Sequence, residues 1–300
     1  MSTPRRLHIA SMGSSFAAGP SIAPVENEAA GRSAANYAHL VAQRIGAASA
    51  AAAAAAAAVD VQLTDIAVSG ATLPNLMTEP QDRGGGHVFP PQMESLPPDA
   101  DVVLVLGGGN DIGYIGGLFA DTLDASWVGA LVRRFWGTGG APLADPPATP
   151  AARAAQDDWL AARYADVLDR VRARAPRARV LVVEYLTMLG PDVRPGADVP
   201  FAADRVAHHR DVAARLLAAT ARAVEGRQDW CHLVPAAAAS EPHAIGSPRP
   251  WVSAFTWQLY RAGGAYHPRA EGMAAVADLV YRKLVELGIV EDDGNGDSEL

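Results

Sequence analysis

The chain has 300 residues, 49% of them hydrophobic, which is enough to bury one sizeable core. Its net charge is −8, and the basic stripe that a nucleic-acid binder normally shows does not appear. Cys231 is the only cysteine, so an intrachain disulfide is excluded. Residues 47–58 are almost all Ala and too short to cross a bilayer, so stable membrane insertion is not expected. The N-terminus, MSTPRRLHIASMGSS, is basic but has no apolar segment before its first strand-like run. That pattern argues against a signal peptide and for a cytoplasmic location, unless a leader has been removed; the chain would then be secreted. The balance of bases, with Lys283 the only lysine, reads as genome composition.

In chain order, residues 7–12 (LHIASM) form a short apolar run ending at Gly13, the pattern of a buried strand and a turn. Residues 34–45 have helical spacing, with Tyr37, Leu40, Val41 and Ile45 on one side and Gly46 as C-cap. Residues 50–58 are low-complexity Ala that either extend this helix or form a loose connector. Residues 59–68 alternate as a strand does, and residues 101–106 (DVVLVL) are the clearest buried strand. Residues 112–150, rich in Gly and Pro, read as a long loop. Residues 152–175 predict a helix with Leu160, Tyr164, Val167, Leu168 and Val171 inward. A strand follows over 179–184, then a helix over 203–224 with Val206, Leu216, Leu217 and Val224 inward. A fifth strand over 230–234 precedes a second long loop, 235–268. Met273, Val276, Val280, Leu284 and Leu287 mark a C-terminal helix. Residues 291–300 carry five acids with Gly and Asn and read as a disordered tail. No linker-like break interrupts residues 1–290, so one domain is expected. Strands alternating with helices imply a parallel sheet covered on both faces, with ligands bound beyond the carboxyl ends of the strands.

The residues just after the strands are therefore the ones to weigh. The first strand is followed by Gly13-Ser14-Ser15-Phe16-Ala17-Ala18-Gly19, the second by Ser69-Gly70-Ala71, and the third by Gly107-Gly108-Gly109-Asn110-Asp111. They offer a hydroxyl, a free backbone N–H and a carboxamide donor, the parts of an acyl-transfer site. His267, in Ala265-Tyr266-His267-Pro268 ahead of the last helix, supplies a base. Each piece has a plain alternative. Ser15 can be a turn serine, Gly70 a tight turn and Asn110 an Asx-turn residue, and His267 has seven competitors. Their joint occurrence in this order favours the functional reading. The Gly107–Gly113 run has neither the spacing of a dinucleotide fingerprint nor a P-loop lysine. His208 and His209, adjacent on a predicted helix, point in different directions and read as a solvated face rather than a metal site.

At these residues the chain resembles the SGNH/GDSL hydrolase family over most of its length. The family's first block, Gly-Asp-Ser with a Gly four residues on, is similar to Gly13-Ser14-Ser15 with Gly19, Ser14 replacing the Asp. Gly70 matches the oxyanion-hole glycine, and Gly108-Gly109-Asn110-Asp111 matches the third block. Of the final Asp-x-x-His only His267 survives, with Gly264 where the Asp would stand. The segments Gly31-Arg32-Ser33, Asn36-Tyr37 and Trp251-Val252 resemble the secreted actinobacterial branch. Cysteines of that branch often sit where Ala30 and Val68 stand here, and their absence fits a reducing compartment. The resemblance implies a flavodoxin-like three-layer α/β/α sandwich with a five-stranded parallel sheet. It also implies that no metal or organic cofactor is needed.

The expected chemistry is cleavage of a small-molecule carboxylic ester, with Ser15 as nucleophile and His267 as general base. The oxyanion hole would comprise the Ser15 and Gly70 N–H groups and the Asn110 amide. In place of the missing acid, a main-chain carbonyl, that of Gly264, is expected to orient His267; Asp111 and Glu184 are the carboxylates that could do so instead. Without a nearby carboxylate the His267 pKa should lie at or below its reference of about 6.5. Substrate choice falls to loops 112–150, 185–200 and 235–266, with Tyr114, Trp127, Trp136 and Trp251 as wall residues or loop anchors. The rival readings are a carbohydrate O-acetyl esterase and a non-catalytic binding protein on the same scaffold.

Overall fold

The structure is a computed structural model that describes residues 5–52, 59–125, 129, 131 and 149–293. Five strands, β1 (Arg5–Gly13), β2 (Val59–Asp65), β3 (Val102–Leu106), β4 (Arg179–Val183) and β5 (Cys231–Val234), form one sheet in the order β2-β1-β3-β4-β5. Every pairing in it is parallel, with Ile9 opposite Leu63 on one side and Val102 on the other. All five residues of β3 (VVLVL) are buried, as expected for a central strand covered on both faces. Helices α2 (Tyr37–Ala52) and α6 (Ala270–Glu286) pack together on the sheet, as do α4 (Pro150–Arg174) and α5 (Ala203–Val224). Chain order reverses between β1 and β3. The crevice beyond their carboxyl ends is where such a sheet binds ligands, and the short helix α1 (Ser15–Ala18) starts there.

The sequence expectations need correction in four places. Residues 112–150 are not one loop: α3 (Tyr114–Asp124) is a helix with Ile115, Leu118 and Leu123 buried, despite Gly116 and Gly117. Helix α2 continues into the Ala run as far as Ala52; the remainder of that run, Trp127 and Trp136 lie outside the described residues. The first residues of the acidic tail are docked. Arg44 of α2 pairs with Asp293 at 2.8 Å and Asp278 at 2.7 Å, and Tyr281 donates to the Glu291 carbonyl at 2.9 Å. His209 is buried, not solvated: its Nε2 meets Asp121 Oδ2 at 2.6 Å, tying α5 to α3. Among the described residues no helix is long and apolar enough to cross a membrane.

Candidate active site

The crevice is built by three loops stitched to one another. Gly13, where β1 ends, runs against β3 so closely that a Cβ there would overlap the Leu106 carbonyl, which accepts the Ser14 N–H at 2.9 Å. Gln92 grips both polar groups of Gly13. Its Oε1 accepts the Gly13 N–H at 2.8 Å and its Nε2 donates to the Gly13 carbonyl at 2.9 Å. The turn after β1 is thus fixed before α1 begins, and Ser15 is the first residue of that helix. As a first helical residue, its N–H has no carbonyl one turn back to bond. The Gly70 N–H, in a turn with φ +82, is likewise without a partner among the described residues. Asn110 Nδ2 donates to the Ala71 carbonyl at 2.8 Å, which orients the carboxamide and leaves its second N–H available. Asp111 accepts the Leu73 N–H on both carboxylate oxygens at 3.0 Å. Together these contacts clamp the turn after β2 to the turn after β3. Burial raises the Asp111 pKa to about 7 against the pull of the Leu73 N–H.

Ser14, which replaces an acid, is fully buried and its Oγ lies 2.7 Å from the Tyr185 hydroxyl. The same phenol oxygen accepts the Gly109 N–H at 3.2 Å. Tyr185 therefore joins the turn of Ser15 to the turn of Asn110, and burial pushes its own pKa up to about 12. Its ring packs 4.5 Å from that of Phe16, whose ring centroid is 5.6 Å from that of His267.

His267 is buried, on a loop held by Ser253: the Ser253 N–H bonds the His267 carbonyl at 2.9 Å, and the Tyr266 N–H bonds the Ser253 carbonyl at 3.1 Å. Its Nδ1 lies 2.7 Å from the Ala265 carbonyl. A carbonyl only accepts, so Nδ1 carries the proton and Nε2 is the basic nitrogen. The orienting oxygen is thus a main-chain one, but it belongs to Ala265, not Gly264. The cause is Tyr266, held at φ +54, which folds the Ala265 carbonyl back under the ring. The uncommon conformation is kept by full burial of the Tyr266 ring and a 2.5 Å bond from its hydroxyl to Thr122 on α3. Burial pushes the His267 pKa down to about 4, and only the Ala265 carbonyl acts against it; no carboxylate of the described residues contributes. Glu184 is engaged elsewhere, accepting the Ala237 N–H at 3.3 Å. Ser15 Oγ forms no direct hydrogen bond to His267 among the described residues. Free enzymes often hold such pairs apart until substrate is bound.

Of the aromatic residues weighed as pocket walls, Tyr114 is buried beside Tyr185 and Trp251 is stacked on His243 at 4.1 Å, so both are anchors. Tyr185, Gln92 and Ala265 were not legible in the sequence, since nothing in their local pattern marks them. Glu26, His39 and Asp65 also gather, with ligand-capable atoms within 4.8 Å of one another. Arg32 pairs with Glu26 at 2.7 Å and Asn36 bonds Asp65 at 2.7 Å, so this network is already satisfied internally. The Ser69 N–H bonds the Ala30 carbonyl at 2.8 Å.

The fold and its crevice define an α/β sandwich of the flavodoxin-like kind, with the Ser15, Gly70 and Asn110 turns at the ends of adjacent strands. The chain belongs to the GDSL-like lipase/acylhydrolase family, whose model matches residues 11–275. It is similar in structure to phospholipase A1 from Streptomyces albidoflavus, with 20% identity, TM-score 0.63 and coverage of 92% of this chain and 98% of that one. It is also similar to an extracellular lipase from Streptomyces rimosus, with 20% identity, TM-score 0.60 and coverage of 90% and 97%. No curated protein matches it in sequence. The family is one of ester hydrolases, and the fold is theirs.

Proposed function

We propose that this protein is a serine esterase that cleaves small-molecule carboxylic esters through an acyl-enzyme on Ser15. The observation that carries the reading is the His267 imidazole, buried and fixed by the Ala265 carbonyl at 2.7 Å so that Nε2 is its basic nitrogen. In the reaction, Ser15 Oγ attacks the ester carbonyl while its proton passes to His267 Nε2. The carbonyl oxygen becomes an oxyanion that accepts from the Ser15 N–H, the Gly70 N–H and the remaining Asn110 Nδ2–H. Collapse of the adduct breaks the C–O bond to the alcohol, which takes the proton from His267. A water then attacks the acyl-enzyme with His267 as base again, and the acid leaves with Ser15 restored.

The carbonyl fixes the tautomer but brings no full negative charge to stabilise the imidazolium. The developing oxyanion provides that charge only as the adduct forms, so the resting base stays neutral and weak. The alternative of a carbohydrate O-acetyl esterase differs only in the alcohol. A panel of p-nitrophenyl acyl esters beside acetylated sugars separates the two. A fluorophosphonate should label Ser15 in the wild type and fail to label His267→Ala. Labelling that persists in His267→Ala, or that falls on another residue, would exclude this mechanism, and no labelling of the wild type would favour a binding protein.

A further inference from the structure

Beside the Gly70 turn stands a small hairpin, Gln81–Asp82 paired with Val88–Phe89. Gln81 Nε2 donates to the Ser69 carbonyl at 2.9 Å and pins the hairpin to the residue before Gly70. Its tip is closed by the Arg83 N–H on the His87 carbonyl at 2.9 Å and the His87 N–H on the Gly84 carbonyl at 3.0 Å. The result is that Arg83 Nη1 lies 3.2 Å from the point where a Cβ on Gly70 would stand. The Arg83 guanidinium thus sits over the turn whose N–H is one of the proposed oxyanion donors.

This guanidinium lacks the carboxylate partner that several other arginines have. Arg32 pairs with Glu26, Arg44 with Asp278 and Asp293, and Arg205 with Asp121. Arg83 makes only one long bond, from Nε to the Ala29 carbonyl at 3.4 Å, and no ion pair among the described residues. Its pKa is lowered by partial burial with no carboxylate acting against it. In a chain with 33 acids to 25 bases, a cation thus leans over the candidate site with no carboxylate paired to it among the described residues. Both Nη groups are without a hydrogen-bond partner among the described residues, and a planar guanidinium fork matches the paired oxygens of a carboxylate or phosphate.

We propose that Arg83 is a specificity residue, and that the favoured esters carry an anionic carboxylate or phosphate group close to the scissile carbonyl. The inference rests on the esterase reading above. Its position beside Gly70 places the anion a short spacer away from the carbonyl, on either the acyl or the alcohol side.

Two substrate pairs test it and separate the two sides. On the acyl side, 4-nitrophenyl hydrogen succinate is compared with 4-nitrophenyl butyrate. On the alcohol side, a monoacylglycerol phosphate is compared with the same monoacylglycerol. In at least one pair the wild type should prefer the anionic ester in kcat/KM, and the preference should shrink with added salt. Arg83→Gln should lower the anionic-to-neutral ratio by about tenfold or more, the usual weight of a charge-assisted hydrogen bond. Arg83→Lys should restore only part of it. A ratio unchanged by Arg83→Gln in both pairs, with neutral esters still hydrolysed, would overturn the role of Arg83 alone. Hydrolysis of no ester at all, with Ser15 refractory to fluorophosphonate, would overturn both readings.

Discussion

Tyr185→Phe removes one oxygen atom and keeps the ring against Phe16 and Tyr114. That oxygen serves two buried partners, Ser14 Oγ at 2.7 Å and the Gly109 N–H at 3.2 Å. Each is left without a bond, and an orphaned buried polar group costs about 1–3 kcal/mol. Some of that is recovered by relaxation, so a loss near 2 kcal/mol is expected, and Tm should fall by about 5 °C. The partners sit in the turns that bear Ser15 and Asn110, so the loss should also reach chemistry. We expect kcat on p-nitrophenyl acetate to fall about tenfold, equivalent to about 1.4 kcal/mol of lost transition-state positioning, with little change in KM. Ser14→Ala breaks the same link from its other end, so the double variant should be no slower than the slower single one. Hydrogen exchange at the Gly109 amide should accelerate in Tyr185→Phe ahead of the rest of the sheet. Stability, exchange and kcat all unchanged would refute the linkage.

Asn110→Ala should lower kcat by about 10²–10³ with a smaller change in KM, because the amide acts on the developing oxyanion; a pure KM effect in steady-state kinetics would make it a binding residue. His267 is neutral above about pH 4, so kcat/KM should not fall with a pKa near 6.5. A limb near pH 7 would belong to Asp111 and should vanish in Asp111→Asn, whereas a limb near 6.5 that persists there would contradict the buried dyad. The same depression sets a stability trend. The unfolded chain binds a proton at His267 below about pH 6.5 that the folded protein refuses until about 4. Stability from this group is therefore complete above 6.5 and lost as pH falls towards 4, by at most about 3 kcal/mol in urea titrations.

The sheet was legible because β1 and β3 are short apolar runs that lead into glycine and β2 alternates, and β3 in particular is apolar at every position. Boundaries moved by a few residues where capping and the Ala run decided them. Helix α3 was hidden by Gly116 and Gly117, whose helix-weakening signal is overruled by burial of Ile115, Leu118 and Leu123. The strand-end residues could be picked out because topology places them together whatever their side chains do. Their supports could not. Gln92, Tyr185 and the His209–Asp121 pair act across 79, 171 and 88 residues of sequence. No local periodicity reports such partners. The expectation of a main-chain oxygen on His267 came from the missing acid. Which oxygen it is depends on Tyr266 at φ +54, a conformation that a tyrosine does not advertise.

The acyl-enzyme on Ser15 is tested most directly by Ser15→Ala. The Ser15 hydroxyl has no hydrogen-bonded partner among the described residues, so the variant should keep the wild-type circular dichroism and Tm. Removing a triad nucleophile typically costs about 10⁶ in kcat. The account predicts a fall of that order in p-nitrophenyl ester hydrolysis by a homogeneous, folded preparation. A folded Ser15→Ala protein that keeps more than a few per cent of wild-type activity (more than about 10⁴ above that expectation) would mean that another residue attacks.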